Sequence, residues 1–154
     1  MGPGELELRV ERFKEACRQA GLKLTLQRLE IFREVASTMA HPDAETVFHG
    51  VRARLPMVSL DTVYRTLWTL TDLGLLSTLG PRHERARFDA NLSPHHHYVC
   101  IRCGQAKDFQ SADLDAVRLP ESIAGFGTVI GAHVEVRGVC AQCAANGKAL
   151  VLDT

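Results

Sequence analysis

Four cysteines in two closely spaced pairs constrain the fold of this chain more than any other feature. They form the motifs Cys100-x-x-Cys103 and Cys140-x-x-Cys143, separated by residues 104–139. Four thiolates are the ligand set that zinc takes in closed tetrahedral structural sites. A strand, a helix and another strand fit between the pairs, so a bound ion would hold the ends of a small sheet together. Buried reduced thiols and disulfides are the alternatives, and a cytosolic setting argues against disulfides.

The composition is that of an ordinary globular protein. Of the 154 residues, 45% are hydrophobic and 23% are charged. No apolar run approaches the roughly 20 residues of a membrane span, and the N-terminus lacks the apolar core of a signal peptide. We therefore expect a cytoplasmic protein without a membrane partner. Because 18 basic residues balance 18 acidic ones, any binding to nucleic acid must depend on a local patch of charge.

Residues 1 to about 76 show the apolar spacing of four helices. The first ends at Gly21, and Thr25, Asp43 and Ser59 cap the other three. Steps of three and four residues place the apolar side chains of each helix on one face. The predicted inward faces are Leu6, Val10, Phe13 and Cys17 in the first helix; Leu29, Phe32, Val35 and Met39 in the second; Ala44, Val47, Phe48, Val51 and Leu55 in the third; and Leu60, Val63, Leu67 and Leu70 in the fourth.

Two short strands follow the helices, at Leu75–Leu79 and Ala86–Phe88, with a polar tip between them at residues 80–85. Helices followed by a small hairpin resemble a winged helix, with the fourth helix as the reader and the hairpin as the wing. On the reader helix, Tyr64 and Arg65 suit contacts to a thymine methyl group and to guanine or phosphate. Ordinary polar residues of a surface helix would give the same pattern.

The rest of the chain shows the pattern of strands and helix that is typical of a small α+β domain. The predicted elements are strands at His95–Ile101 and Gln105–Phe109, a short helix at Asp113–Leu119 and an alternating strand over residues 127–137. The predicted fold class is therefore α+β. Its domains are a winged helix over residues 1–88, a hinge over residues 89–94 and a second domain over residues 95–154.

A second candidate metal cluster involves the histidines at the start of the first of these strands. Side chains alternate faces along a strand, so His95 and His97 lie on the same face. Two imidazoles in this arrangement can bind one metal ion if other residues complete its coordination. Candidates for that role are His41, Asp89 and Asp108. The alternative is a solvated polar start of a strand, because runs of histidine are weak evidence by themselves.

These residues together resemble the ferric uptake regulator family of metal-dependent repressors, from about residue 10 to residue 145. The resemblance implies a homodimer that binds a double-stranded DNA operator, with an N-terminal winged helix and a C-terminal α/β dimerisation domain. The matching motifs are Leu24-Thr25-Leu26-Gln27-Arg28, His41-Pro42-x-Ala44-Glu45, Ser59-Leu60-Asp61-Thr62-Val63-Tyr64-Arg65, Arg87-Phe88-Asp89, the HHHYVC stretch leading into Cys103-Gly104, and Gly138-Val139-Cys140-x-x-Cys143.

The resemblance also assigns residues to roles. Structural Zn²⁺ would take Cys100, Cys103, Cys140 and Cys143. The positions that match the family's ligands for regulatory Fe²⁺ or Mn²⁺ are His41, Asp89, His95, His97 and Asp108. Residues of the reader helix expected at the DNA are Ser59, Thr62, Tyr64 and Arg65.

Asp108 bears on the signal that the chain senses. Iron-uptake regulators of the family usually carry glutamate at the matching position, whereas its peroxide-responsive repressors carry aspartate. The resemblance thus implies a peroxide sensor in which iron-catalysed oxidation modifies His41 or His95. The alternative is a repressor that senses the level of iron or manganese without peroxide chemistry.

Two further possibilities stay open at this point. A metalloenzyme is the strongest interpretation of a different class, but the sequence shows no separate acid, base or substrate-pocket signature, so no enzymatic activity is expected. Many family members have a further metal site that uses a histidine in the late strand. Here Ala132 occupies that position and the nearest histidine, His133, is one residue away. In a strand, a shift of one residue places the side chain on the opposite face. His96 leaves a third site possible.

Overall fold

The computed structural model describes residues 2–79, 86–129 and 131–147. The chain divides into two compact units between Leu92 and Ser93. The first unit holds four longer helices and a hairpin, and the second holds a small sheet with short helices. This arrangement confirms the predicted α+β fold class.

The first unit contains the four predicted helices, and polar side chains begin three of them. Thr25 accepts a hydrogen bond from the Arg28 N–H at 3.2 Å, and Ser59 accepts one from the Thr62 N–H at 3.1 Å. Asp43 caps the third helix in the same way. Each cap satisfies a backbone donor that the first turn of a helix leaves without a partner. The helices are α1 (Pro3–Gln19), α2 (Leu26–Ala36), α3 (Ala44–Arg52) and α4 (Leu60–Asp72).

The core of this unit forms where the apolar faces of the helices meet. Phe13 and Phe32 stack with their ring centroids 4.0 Å apart, and this contact ties α1 to α2. The other fully buried side chains follow the predicted spacing, among them Val10, Cys17, Val35, Val47, Val51, Val63, Leu67 and Leu70.

The prediction of a buried side chain is wrong for two residues, Met39 and Leu60. Met39 is 48% exposed because α2 already ends at Ala36, so the helical step of four residues no longer applies to it. Leu60 is 37% exposed because it is the first residue of α4, one turn before the helix packs fully against the core. Leu55 lies beyond the end of α3 and is only half-buried.

A two-stranded antiparallel hairpin completes the first unit. Its strands are β1 (Ser77–Leu79) and β2 (Arg87–Asp89), slightly displaced from the predicted limits. Phe88 of β2 is 1% exposed and packs edge-on against Trp68 of α4, with the ring centroids 5.3 Å apart. This contact anchors the hairpin to the helix that precedes it. The predicted polar tip, residues 80–85, lies outside the described residues.

The second unit is built on a three-stranded sheet with the order β4-β3-β5. Its strands are β3 (His96–Cys100), β4 (Ala106–Phe109) and β5 (Glu135–Gly138). β4 pairs with β3 antiparallel and β5 pairs with β3 parallel. A parallel pair requires a long crossover, and the segment between β4 and β5 supplies it. That segment contains the short helix α5 (Ala112–Asp115) and a 3₁₀ turn at Glu121–Gly125.

The predicted strand over residues 127–137 and the predicted helix over residues 113–119 are both longer than the elements observed. β5 covers only Glu135–Gly138, because its pairing with β3 begins at His97↔Glu135. The described residues upstream of it, 127–129 and 131–134, alternate in polarity but belong to no strand. Ile130 lies outside the described residues. A further helix, α6 (Ala141–Ala145), was not among the predicted elements and begins at a cysteine cap.

Candidate functional site

The four cysteines lie together at one end of the sheet in the second unit. Cys100 ends β3, and its register partner Gly138 ends β5, so parallel pairing brings the two Cys-x-x-Cys segments to the same edge. Gly104 closes the first segment with a φ of 73°, which a residue with a side chain rarely adopts. The sulfur atoms of Cys100, Cys103, Cys140 and Cys143 all lie within 4.8 Å of one another.

The surroundings of these sulfur atoms favour a metal-binding thiolate. All four are free thiols, and the Sγ atoms of Cys103 and Cys140 are 3.9 Å apart. Tetrahedral ligands with bonds of about 2.3 Å to zinc stand roughly 3.8 Å from each other. Backbone N–H groups of Cys103 and Cys140 lower the pKa of Cys100 to about 6. Hydrogen bonds with the neighbouring thiols raise the pKa of Cys143 to about 12. The cluster fits zinc in its spacing and in its set of four sulfur donors, and the Cys100 thiol is the one most readily ionised in the absence of metal.

Three further predicted ligands converge within the second unit. His97 and Asp108 are opposite each other in the β3–β4 register, and His97 Nε2 lies 3.4 Å from Asp108 Oδ1. His95 Nε2 lies 2.9 Å from His97 Nε2 and 3.9 Å from Asp108 Oδ1. His95 and His97 are buried, and the Asp108 side chain is largely so. If a metal ion were bound octahedrally with bonds near 2.1 Å, its adjacent ligand atoms would stand roughly 3 Å apart. The separations of these side chains are close to that value.

The tautomer of His95 is fixed by its backbone neighbour. Its Nδ1 lies 2.6 Å from the carbonyl oxygen of Ser93, which can only accept a hydrogen bond. Nδ1 therefore carries the proton, and Nε2 presents a lone pair toward His97. A hydrogen bond of this kind to the distal nitrogen is the usual way in which a protein orients a metal-binding histidine.

The remaining two predicted ligands lie side by side in the first unit. His41 and Asp89 are both buried, and His41 Nδ1 is 3.6 Å from Asp89 Oδ2. Backbone pairing brings them together, since the N–H of Phe88 donates to the carbonyl of Pro42 at 3.0 Å. His41 has a φ of 50°, in the left-handed region that costs energy for any residue with a β-carbon. Such strain is common where a side chain is held in place for a function.

His96 has a different environment from its two neighbours. It is 1% exposed, and its Nδ1 accepts a hydrogen bond from the N–H of Val134 at 3.1 Å. In the neutral ring, Nε2 then carries the proton, and it lies 3.1 Å from Asp115 Oδ1. His133 is exposed, with its ring centroid 5.8 Å from that of His97. His96 thus links β3 to Val134, the residue that precedes β5. In this arrangement its neutral ring offers no lone pair to a metal.

The reader helix presents a polar face beside α2. Thr62, Arg65, Thr66 and Thr69 of α4 recur at helical spacing and line a cleft of about 440 Å³. The opposite side of the cleft is formed by residues at the start of α2, namely Thr25, Gln27 and Arg28. Arg28 is not among the predicted DNA contacts. The spacing of Thr62, Arg65 and Thr69 could have identified the polar face of α4 that lies opposite it.

The four predicted DNA-contact residues differ in exposure. The Arg65 side chain is 75% exposed, whereas Tyr64 is half-buried and packs against the core. Tyr64 therefore lies less fully on the outward side than we expected. Ser59 is occupied as the cap of α4, and its hydroxyl also donates to the Thr62 hydroxyl at 2.9 Å. Arg65 is the member of this set that is best placed to reach a partner.

Helices followed by a hairpin, as in a winged helix, together with a four-thiol cluster and buried nitrogen and oxygen ligands, are the parts expected of a metal-dependent DNA-binding regulator. Comparison with known proteins agrees with this class. The chain belongs to the ferric uptake regulator family, whose family model matches residues 19–129.

Individual relatives extend over most of the chain. The peroxide-responsive repressor PerR of Staphylococcus epidermidis is 33% identical over 132 residues, which cover 85% of this chain and 87% of the relative. Among solved structures, the Helicobacter pylori ferric uptake regulator Fur, described with three functional metal-binding sites, is similar with a TM-score of 0.69 and 25% identity, covering 90% of this chain and 93% of that one. The ferric uptake regulator of Pseudomonas aeruginosa with manganese gives a TM-score of 0.66 and 28% identity, covering 83% and 97%.

The helices of the described residues do not meet the requirements of a membrane span. None of those in the described ranges combines the length and the apolar character that crossing a bilayer requires.

Proposed function

We propose that this chain is a cytoplasmic, homodimeric repressor that senses peroxide through oxidation of a histidine that ligates its regulatory metal. The observation that carries the proposal is the convergence of His95 Nε2, His97 Nε2 and Asp108 Oδ1, with aspartate as the carboxylate. The similarity to a peroxide-responsive repressor over 85% of the chain supports the same conclusion.

The regulatory metal would be held by nitrogen and oxygen ligands, a set that Fe²⁺ and Mn²⁺ accept while zinc favours the thiolates. His41 and Asp89 would supply ligands from the first unit, and His95, His97 and Asp108 would supply them from the second. A shared ion would restrict the two units to one relative orientation. In a homodimer this restriction would set the spacing of the two reader helices, which must match the half-sites of the operator.

The chemistry of sensing requires an oxidant and a susceptible imidazole. Bound Fe²⁺ would supply the redox catalysis for cleavage of the O–O bond of hydrogen peroxide, and His41 or His95 would be the group that is oxidised. In the net reaction, the imidazole ring of His41 or His95 loses two electrons and gains one oxygen atom at carbon, and the other peroxide oxygen leaves as water. The 2-oxo-imidazole is a poor ligand, so the units are no longer held together. The affinity for DNA then falls with the fraction of molecules in the binding-competent arrangement.

The structural role is assigned to zinc on Cys100, Cys103, Cys140 and Cys143. A closed set of four thiolates leaves no open coordination position, so zinc there supports the fold and takes no part in sensing. Regulators of this family act on transcription, and neither proposed metal site includes a separate acid, base and substrate pocket.

The main alternative is a repressor that senses the level of iron or manganese. Structural similarity to the ferric uptake regulators of H. pylori and P. aeruginosa is the observation that favours it. Both functions share the same ligands and the same DNA-binding unit. They differ in whether peroxide changes the protein covalently.

The deciding experiment compares protein loaded with Fe²⁺ and protein loaded with Mn²⁺, each with and without brief peroxide treatment. DNA affinity is measured on a duplex selected by the protein from a random library, and tryptic peptides are weighed. The Fe²⁺ form should lose DNA affinity and gain about 16 Da, one oxygen atom, on a peptide containing His41 or His95, while the Mn²⁺ form, a poorer reductant, should not. If the Fe²⁺ form keeps its DNA affinity and neither peptide gains mass, the chain is a sensor of metal level.

A further inference from the structure

The reader helix carries an acidic residue on the same face as its exposed arginine. Asp61 and Arg65 are four residues apart in α4, and Arg65 Nη2 lies 2.8 Å from Asp61 Oδ2. Both side chains are about three-quarters exposed, at 74% and 75%. The remaining charged residue of α4 is Asp72, so the helix has two acidic residues and one basic residue. The helix expected to approach a polyanion therefore has no net positive charge.

We expect this ion pair to contribute little to folding stability. Exposed pairs of this kind contribute little to stability, and Ser59 already caps the start of the helix. A carboxylate that faces DNA phosphates weakens binding that depends on charge alone. The effect of Asp61 should therefore appear in the orientation of the Arg65 guanidinium at the DNA.

Asp61 occupies only part of the guanidinium. Arginine has five N–H donors in a planar fork, and the recorded contact joins its Nη2 to one carboxylate oxygen of Asp61. One carboxylate oxygen cannot use all five donors, so the fork can also bind a partner that offers two acceptors side by side. In the major groove of DNA, guanine presents such a pair at O6 and N7. A guanidinium held by a neighbouring carboxylate is oriented for this contact and loses less side-chain freedom when it forms.

We propose that Asp61 is a specificity-determining residue that orients Arg65 to read a guanine and discourages its use as a phosphate contact. The proposal rests on the proposed function, in which α4 reads DNA. The cleft beside Arg65 offers an alternative position for its guanidinium, in which it would contact a phosphate and not a base. Arg65 and Arg28 both line it, and Arg28 already donates to the Lys23 carbonyl at 2.6 Å. Without Asp61, the guanidinium of Arg65 can turn toward a phosphate near this cleft.

The test uses the full-length, zinc-containing dimer loaded with Mn²⁺, so that peroxide chemistry does not interfere. A duplex is selected from a random library with the wild type, and each of its G·C pairs is then replaced by A·T. In the wild type, one G·C pair per half-site should cost tenfold or more in affinity when replaced, as expected for a bidentate base contact. In Asp61→Ala the same replacement should cost less than about threefold. Binding of this variant to a scrambled duplex should rise several-fold, and the slope of log Kd against log salt should steepen by about one per subunit.

Two further variants separate charge from fold. Asp61→Asn keeps the size of the side chain and a carbonyl acceptor, so it should retain part of the base preference while its binding to the scrambled duplex rises. Asp72→Ala removes an acidic residue from the last turn of the same helix and should match the wild type in base preference. Identical base preference and identical binding to the scrambled duplex in wild type and Asp61→Ala would overturn the inference while leaving the proposed function intact. A wild type that selects no sequence refutes the proposed function and the inference with it.

Discussion

At the scale of single residues, the side-chain length of Asp108 bears directly on the proposed chemistry. Its Oδ1 is 3.4 Å from His97 Nε2, so one added methylene would move the carboxylate relative to the imidazoles. Asp108→Glu should still bind metal and DNA, because the donor atom is unchanged. It should lose much of its peroxide sensitivity, since a displacement of about 1 Å can slow a positioned reaction roughly a hundredfold. The measurement is DNA release by Fe²⁺-loaded protein over a peroxide titration.

A matched control for this substitution is Asp113→Glu, at an exposed position of α5. It makes the same chemical change away from the converging imidazoles and should respond to peroxide like the wild type. Equal sensitivity of Asp108→Glu and wild type would show that the length of this side chain does not set the response.

The backbone of His41 gives a second prediction at this scale. With a φ of 50°, this position tolerates glycine but strains any other residue. His41→Ala and His41→Gly both remove the buried ring and its contact with Asp89. We expect the glycine variant to be more stable than the alanine variant by about 1 kcal/mol, because only alanine keeps the left-handed strain. Urea unfolding of the metal-free variants measures the difference. An alanine variant as stable as the glycine variant would contradict the assigned strain.

Ligands that stand in a short, recognisable motif could be predicted as a cluster from the sequence. Ligands that are brought together only by the tertiary fold could not. Two Cys-x-x-Cys pairs indicate one site because together they supply the four thiolates of a structural zinc site. The neighbouring positions of His41 and Asp89 depend on pairing between Pro42 and Phe88, which no periodicity in the sequence indicates. His41 and Asp89 are candidate partners of the histidines by residue type, and only the family resemblance assigns them to the same metal site.

At the scale of elements, the start of α4 depends on one hydroxyl group. Ser59 accepts the Thr62 N–H, and loss of such a cap typically costs about 1 kcal/mol. Ser59→Ala should lower the free energy of unfolding by this amount, whereas Ser59→Asp should retain the stability because a carboxylate also caps a helix. Chemical denaturation followed by circular dichroism tests both variants. If Ser59→Asp is as unstable as Ser59→Ala, capping is not what Ser59 contributes.

Elements whose stability is local were predictable from the sequence, and elements that need a distant partner were not. Thr25, Asp43 and Ser59 mark the starts of helices because each satisfies a donor only three residues away. By contrast, alternation over residues 127–137 predicts a strand only where another strand lies beside it. β3 provides that partner from His97 onward, so β5 is limited to Glu135–Gly138.

At the scale of the whole molecule, the four-cysteine cluster should hold both the second unit and the dimer together. Binding of metal to such a set contributes folding free energy on the order of 10 kcal/mol. Cys140→Ser should therefore lose the zinc of each subunit and convert dimer to monomer. Metal analysis combined with light scattering measures both. Full zinc content and an intact dimer in this variant would contradict the assignment.

Cys17 provides the control for loss of a thiol. It is 1% exposed in the core of the first unit, and burial raises the pKa of its thiol. Cys17→Ser should keep its zinc and its dimeric state. It should also lose about 1–3 kcal/mol of stability, because a hydroxyl group is buried among apolar side chains without a designed partner.

The parallel pairing of β3 with β5 has a consequence for the order in which the protein assembles during synthesis. Neighbouring helices of the first unit make contacts that are close in sequence, and such contacts form fast. The sheet of the second unit closes only when residues 135–138 return to β3, and the entropic cost of closing that loop must be met before its contacts form. We therefore expect the helices of the first unit to fold on the ribosome while the chain is still being extended. The second unit should stay open until Cys143 has emerged, so the supply of zinc at that moment would set the rate of maturation.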